Sequence, residues 1–306
     1  MKILFTGASS FTGYWFVKTL AAAGHEIVCP LRGAGDRYDG VRKLRFEKLK
    51  PLCRMLRDMP FGSDNFLKLA REEKFDVLCH HAAETGNYKS LDFDVHAALR
   101  NNTLNLRQVL AAMKGGLKGA VFTGTFFEND EGKGDEPLRA FSGYGLSKGL
   151  TWQMCRFYCA EARVPLGKFV MPNPFGPFEE PRFTAYLMRT WKEGKAAAVK
   201  TPDYLRDNIH VDLMALAYAK FLQRVASLET GEIKVNPSGY VETQGEFAQR
   251  VAGEIRRRAG WECRLELSRQ EDFSEPFRRE NTEPMTPLFP NWSEKGAWDA
   301  FAEFYS

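Results

Sequence analysis

A chain of 306 residues, 44% hydrophobic and 27% charged, can bury one large α/β core or a large domain with a smaller partner. Its 43 basic and 39 acidic residues are scattered, so the net charge of +4 forms no stripe; nucleic-acid binding is not indicated, while a local pocket for an anion is compatible with it. No apolar stretch approaches the roughly 18 residues of a membrane span.

Met1 leads into an apolar run with no small-residue cleavage site behind it, which reads as a first strand rather than a signal peptide. "KILFTG" is that strand, and "YWFVKTLAAAGH" is a helix with Phe16 and Leu20 on one face and Gly24 as its stop. "EIVCPL" follows as a second strand. Residues 34–62 are rich in Arg and Lys without a clean period, and "CRMLRD" is their best candidate for a third strand. "FDVLCHHAA" reads as a strand, "LRNNTLNLRQVLAAMKGG" as one amphipathic helix, "GAVFTG" as a strand, "YGLSKGLTWQMCRFYCAEAR" as a long helix and "PLGKFVM" as a strand. This alternation implies right-handed crossovers and a doubly wound parallel sheet of Rossmann type, covered on both faces.

From residue 172 the pattern changes. "PNPFGPFEEP" has four prolines in ten positions, and three helical stretches and an aromatic tail follow it. Residues 1–172 therefore read as a dinucleotide-binding domain. Residues 173–306 read mainly as a smaller C-terminal lobe that binds substrate over the strand ends, with some segments returning to the sheet. The tail aromatics, Trp298 and Phe301 among them, are expected to dock that segment. The six cysteines form no C-x-x-C pair and read as reduced thiols of a cytoplasmic protein, and no metal site is expected. His80 and His81, adjacent on a strand, point to opposite faces and read as packed residues.

Two motifs carry chemistry. In "TGASSFTG", Gly7 makes the turn out of the strand and Gly13 lets the helix pack closely, so the amides at the helix start can hold a pyrophosphate. Ser10 takes the middle glycine's slot and adds a hydroxyl able to donate to phosphate. In "YGLSK", Tyr144 and Lys148 are four apart on one helical face, where an ammonium can lower a phenol's pKa for acid–base work on a carbonyl or alcohol. The preceding strand supplies Thr123 and Thr125 at the sheet's carboxyl edge.

The order "TGASSFTG", "DVLCHHAA", Asn101-Asn102, "VFTGT", "YGLSK", "PNPFGP" and "RDNIHVDLMALA" resembles the extended short-chain dehydrogenase/reductase superfamily, the epimerase and dehydratase group acting on nucleotide-linked sugars. The resemblance runs from residue 1 to about 222, and the joint order is more specific than any one motif. It departs at Ser10 and at Leu213, where a second Asp is frequent. It implies catalysis by Thr125, Tyr144 and Lys148. It implies a bound NAD or NADP contacted by Gly7, Ser9, Ser10, Phe11, Thr12, Gly13, Arg32, His81, Ala82, Ala83, Asn102, Thr123, Tyr144, Lys148 and Pro172, with Asp58 or Asp64 at the adenine. Substrate contacts are expected from Glu84, Thr125, Asn173, Arg206 and Arg278 (or its neighbour Arg279), the arginines on a diphosphate. Glu84 has the alternative of capping the next segment.

Leu31 stands where NAD users of the group carry an acid, and Arg32 beside it offers a cation to a 2′-phosphate, which favours NADP over NAD. Phe126-Phe127 replace the Asp-Glu that dehydratases place after the catalytic Thr. "AAETGNYKSL" and "FTGTFFEND" are similar to segments of the 4-ketoreductases that make CDP-abequose and CDP-paratose. The expectation is an NADPH-dependent reductase of a nucleoside-diphosphate 4-keto-6-deoxy sugar, with a 4-epimerase holding tightly bound NAD as the alternative and a non-catalytic NADP-sensing regulator behind both. The group's pairing of long helices implies a homodimer through the helix carrying Tyr144, with Trp152, Phe157 and Tyr158 as apolar contacts.

Overall fold

The computed structural model describes residues 1–33, 38–88, 90–271 and 273–306, so part of the stretch without a clean period, residues 34–37, lies outside the described residues. The central sheet holds seven parallel strands: β1 (Lys2–Thr6), β2 (Glu26–Pro30), β3 (Arg54–Leu56), β4 (Val77–His80), β5 (Gly119–Thr125), β6 (Leu166–Met171) and β7 (Glu232–Val235). Their order, 7-6-5-4-1-2-3, reverses direction between β1 and β4. In open α/β sheets that reversal opens a crevice at the carboxyl ends of the two strands, where ligands bind. In register, Thr6 lies beside His80 and His80 beside Phe122, so the three strand ends form one rim.

The inner strands β1, β2, β4 and β5 are largely apolar because both faces are covered, whereas β3, β6 and β7 also carry Arg54, Lys168 and Lys234. Alternate residues feed two cores: Ile3, Phe5, Val77, Cys79 and Val121 face one, Leu4, Leu78, Ala120 and Phe122 the other. Helices α1 (Phe11–Ala22) and α8 (Val211–Ala226) close the first core, where the Phe16 and Tyr218 rings stack at 4.0 Å, and α2 (Gly40–Leu49) packs beside α1. Helices α3 (Asp64–Glu72), α5 (Leu106–Met113) and α6 (Gly143–Ala162) close the second, with α4 (Val95–Thr103) lying along α6.

Two segments differ from the sequence reading. The stretch taken as one helix over 99–116 is two, α4 and α5, because Asn105 adopts a left-handed conformation (φ 51°) and its side-chain amide donates to the Gly62 carbonyl at 2.9 Å. The Arg/Lys-rich stretch contains the helix α2, whose buried face includes Arg45, a residue that an apolar pattern does not count.

Beyond β6 the chain builds a small mixed sheet. Asn173–Phe175 pairs in parallel with Leu205–His210, which runs against Tyr240–Thr243 and beside Arg278–Glu280. Arg278–Glu280 in turn pairs with Lys133–Gly134 from the segment after β5, so the added sheet is stitched to the loop leaving β5. Helices α7 (Phe183–Lys192), α9 (Gln244–Ala259) and α10 (Glu294–Tyr305) pack there around Phe175, Phe247, Trp298 and Phe301, which docks the tail. Segment 211–235 returns to the central sheet as α8 and β7.

Candidate active site

Gly7 leaves β1 at φ +80°, where a Cβ would sit 2.8 Å from the Ala82 nitrogen, and a Cβ at Gly13 would sit 2.2 Å from the Gly7 carbonyl. Both positions admit no side chain, so the turn lies flat on the end of β4. Ser10 is the N-cap of α1. Its Oγ accepts from the Gly13 amide at 3.1 Å and donates to the Gly7 carbonyl at 2.8 Å, so the hydroxyl expected to reach a phosphate serves the turn instead. The first-turn amides of Phe11 and Thr12 have no intrahelical acceptor, the condition in which helix starts bind anions.

His81 ties this turn to the neighbouring strand ends. Its Nε2 lies 3.0 Å from Thr12 Oγ1 and 3.2 Å from Ser10 Oγ, and its Nδ1 lies 2.9 Å from Thr123 Oγ1. With the Ser10 proton on the Gly7 carbonyl, the consistent tautomer has Nε2–H donating and Nδ1 accepting from Thr123. Burial pushes the His81 pKa down to about 3, with Lys148 adding to the effect, so the ring is neutral. His80, on the opposite face, is satisfied by Thr6 Oγ1 and the Asn102 carbonyl. The Thr6 hydroxyl receives the amides of His81 and Ala82, and Asn102 holds the next turn through the Glu84 amide at 2.9 Å and Thr151 at 3.3 Å. Ala83, half-buried, lies in the irregular segment between Ala82 and Glu84.

Thr125 ends β5 and is buried. Ser142 caps α6 through the Gly145 amide, which presents Tyr144 and Lys148 on consecutive turns of a helix packed on β5. The Tyr144 ring meets Tyr88 edge-on at 5.8 Å and Phe93 at 6.1 Å. Burial pushes its phenol above the usual range. The cation opposing this is Arg182, whose guanidinium stands 5.5 Å over the Tyr88 ring, rather than Lys148. Lys148 is 6% exposed and makes no hydrogen bond or ion pair with any described residue. Burial depresses its pKa, and Glu128 opposes that effect.

The other expected site residues divide in two. Pro172 is buried at the end of β6, and Asn173, beside Asn208, opens the strand that follows. Arg32 and Glu84, one expected on the cofactor and the other on the sugar, are joined at 2.7 Å; burial works against the Glu84 carboxylate, and Arg32, the Gly86 amide and Asn101 together outweigh it. Arg206 lies between Tyr204 (4.5 Å) and Phe141 (5.3 Å) and is paired with Glu275 at 2.9 Å. Arg278 turns to Glu280 at 2.7 Å, and the fully buried Arg279 donates to the carbonyls of Phe126, Glu128, Glu131 and Arg139. Arg279 thus shapes the loop after Thr125 from inside. Asp58 and Asp64 are both exposed.

Four side chains at the site carry no local signal in the sequence. Arg45, fully buried, donates to the Ser9 carbonyl at 3.0 Å and to the Phe178 carbonyl at 2.6 Å, and it pairs with Glu180. Arg42 donates to Ser9 Oγ at 2.9 Å and lies 4.3 Å over the Tyr38 ring. Glu128 and Lys168 sit beneath Thr125. The features that fit a dinucleotide are the two positions without room for a Cβ, the open first-turn amides and the Lys148 ammonium, which has no partner among the described residues.

Comparison with solved structures places the whole chain on known folds. A UDP-glucuronic acid 4-epimerase from Bacillus cereus, in complex with UDP-glucuronic acid and NAD, is 19% identical with a TM-score of 0.74, covering 100% of this chain and 99% of its own. A UDP-glucose 4-epimerase from Thermus thermophilus in complex with NAD is 20% identical with a TM-score of 0.73, over 100% and 99%. A dTDP-glucose 4,6-dehydratase from Bacillus anthracis in complex with NAD is 16% identical with a TM-score of 0.74, over 100% and 96%. No curated protein matches the sequence. The model of the NAD dependent epimerase/dehydratase family matches residues 3–236, and the chain belongs to that family.

Proposed function

We propose that the chain is an NADPH-dependent reductase of a nucleotide-linked 4-keto-6-deoxy sugar. The observation that carries this reading is the meeting, at one sheet edge, of a glycine turn with open amides, Thr125 at the end of β5, and Tyr144 with Lys148 on the first turns of α6. When bound, the nicotinamide dinucleotide supplies a hydride to the keto carbon. The Tyr144 hydroxyl gives its proton to the carbonyl oxygen, which becomes the alcohol, and the Thr125 hydroxyl orients that oxygen. Lys148 holds the ribose with an ammonium that no protein carboxylate has taken. Gly7 through Gly13 take the pyrophosphate, with His81 and Asn102 fixing the walls around it.

Elimination of water is disfavoured because the first carboxylate after Thr125 is Glu128, which is 1% exposed and bound to Lys168. NADP is preferred over NAD because the buried Leu31 leaves no acid at the end of β2, while Arg32, now on Glu84, and Arg42, on Ser9 of the turn, would offer cations to a 2′-phosphate. The lobe from residue 173 binds the sugar nucleotide, with Asn173, Arg206 and Glu84 as contacts; Arg32 and Glu275 must then release their partners. Arg278, held by Glu280, is the least supported contact. A homodimer through α6 fits the stripe Leu146, Leu150 and Phe157, which is 40–66% exposed, whereas Trp152 and Tyr158 pack inward. Six unpaired cysteines suit a cytoplasmic enzyme, and no helix of the described residues is long and apolar enough to cross a membrane.

The second reading is a nucleotide-sugar 4-epimerase, favoured by the solved neighbours named as UDP-sugar 4-epimerases with NAD. The two separate on the isolated protein. Oxidation of NADPH in a panel of nucleoside-diphosphate 4-keto-6-deoxy sugars is expected. Copurified NAD with interconversion of UDP-hexoses and no net NADPH oxidation sinks the reductase reading.

A further inference from the structure

A buried chain of charges runs beneath the loop after β5. Lys168, on β6 and 2% exposed, donates to Glu128 Oε2 at 2.5 Å and to Glu131 Oε1 at 2.7 Å, and Glu131 Oε2 receives Lys234 of β7 at 3.0 Å. The remaining oxygen of Glu128 accepts the Thr125 amide at 2.8 Å. Glu128 and Lys148 also line one small pocket, together with Lys168, His80, Thr123, Thr151 and Trp152. Burying two carboxylates and two ammoniums here costs more than apolar packing would, and such groups are tolerated only when every charge is answered. Lys168 is answered twice. Lys148, across the pocket, has no direct partner among the described residues.

We propose that Glu128 is a positioning residue of this site: clamped by the Thr125 amide and Lys168, its carboxylate is the counter-charge that keeps Lys148 an ammonium and fixes the end of β5. The groups facing Lys148 agree. Glu128 favours its charged form and Lys168 opposes it; Cys155 is a thiol held neutral by burial, and His80 and His81 are neutral rings. Around Tyr144, Glu128 and Tyr88 oppose the phenolate and Arg182 favours it. Glu128 therefore holds Lys148 charged and Tyr144 protonated, the pair of states a proton donor beside a bound ribose requires. Removal of the Glu128 charge weakens both, whereas removal of the Lys168 charge strengthens the hold on Lys148.

This inference rests on the cofactor reading above, and its test reads binding rather than turnover. NADPH and NADH affinities are measured by fluorescence from pH 6 to 10.5 for the wild type, Glu128→Gln, Lys168→Gln and Lys148→Met, with thermal melts confirming that each is folded. The wild type is expected to lose affinity on an alkaline limb that Lys148→Met lacks. Glu128→Gln moves that limb down by about one unit, and Lys168→Gln moves it up. A merely structural network shifts both variants in one direction or neither, and either result overturns the proposal. If Glu128→Gln fails to fold, an unshifted or lowered limb in Lys168→Gln overturns it alone. A wild type that binds neither dinucleotide overturns the cofactor reading and this inference with it.

Discussion

The two sides of the crevice are built on opposite plans. On the side of β1 the surface is backbone: two positions without room for a Cβ, first-turn amides, and side chains such as Ser10 and His81 whose polar atoms are turned onto the turn itself. On the side of β5 the surface is side chain: a phenol, a hydroxyl and an ammonium, walled by Tyr88, Arg182, Tyr204 and Arg206. A backbone surface recognises what every dinucleotide shares and is spoiled by any added atom. A side-chain surface performs one reaction on one class of substrate and is spoiled by deletion.

Deletion on the β5 side gives the largest expected effect. Tyr144→Phe removes the proposed proton donor and leaves the ring against Tyr88 and Phe93, so turnover is expected to fall by about 10²–10⁴-fold with dinucleotide affinity nearly unchanged. Steady-state rates beside a fluorescence titration check both halves, and a variant that turns over like the wild type removes Tyr144 from the chemistry.

Addition on the β1 side comes next. Gly13→Val places atoms where even a Cβ meets the Gly7 carbonyl at 2.2 Å, so affinity for NADPH and NADH alike is expected to drop by about 100-fold or more, the equivalent of about 2.8 kcal/mol or more. Equal affinity in calorimetry shows that the dinucleotide does not lie on this turn.

The same contrast explains what the sequence could tell. The glycine turn and the Tyr-x-x-x-Lys pair are legible because their partners lie within a few residues, and the strands are legible because an apolar run between turn signals has few alternatives. Side chains whose partners are distant in the chain are not. Arg279 closes the loop 126–139 from about 150 positions away, and Arg45 grips Phe178 across 133. Arg45 also hid α2, since a helix that buries a guanidinium shows no apolar stripe. Arg278 and Arg279 are interchangeable in "EPFRREN"; strand alternation leaves one half-exposed against the buried Glu280 and sends the other under the loop after Thr125.

A pair of arginines sharpens the substrate side at smaller scale. Arg206→Ala removes a guanidinium stacked between Tyr204 and Phe141, and KM for a sugar nucleotide is expected to rise about tenfold, as the loss of one charge-assisted hydrogen bond gives. Arg278→Ala, a surface change beside Glu280, is expected to leave KM within about twofold. Equal effects of the two substitutions erase the distinction between them.

The smallest effect tests how the C-terminal helix is fastened over this side. Glu179, 4% exposed, is bound by Thr184 and by the Tyr305 hydroxyl, and burial pushes its pKa up to about 7 against the hydrogen bonds from Thr184 and the Gly176 and Ala185 amides. A carboxyl whose folded pKa lies above its unfolded value binds its proton more tightly in the folded chain. The stabilisation this supplies is complete below the unfolded value near 4.5 and is lost as pH rises to about 7. Glu179→Gln keeps the shape and cannot ionise. It is therefore expected to melt with the wild type at pH 4.5 and to exceed it at pH 8 by about 2–3 kcal/mol, on the order of 5 °C for a chain of this size. Parallel melting curves across that range show that the charge of Glu179 does not act on the anchor, which then rests on the packing of Tyr305 against Phe301 and Phe304 and on Lys192 at the Tyr305 carbonyl.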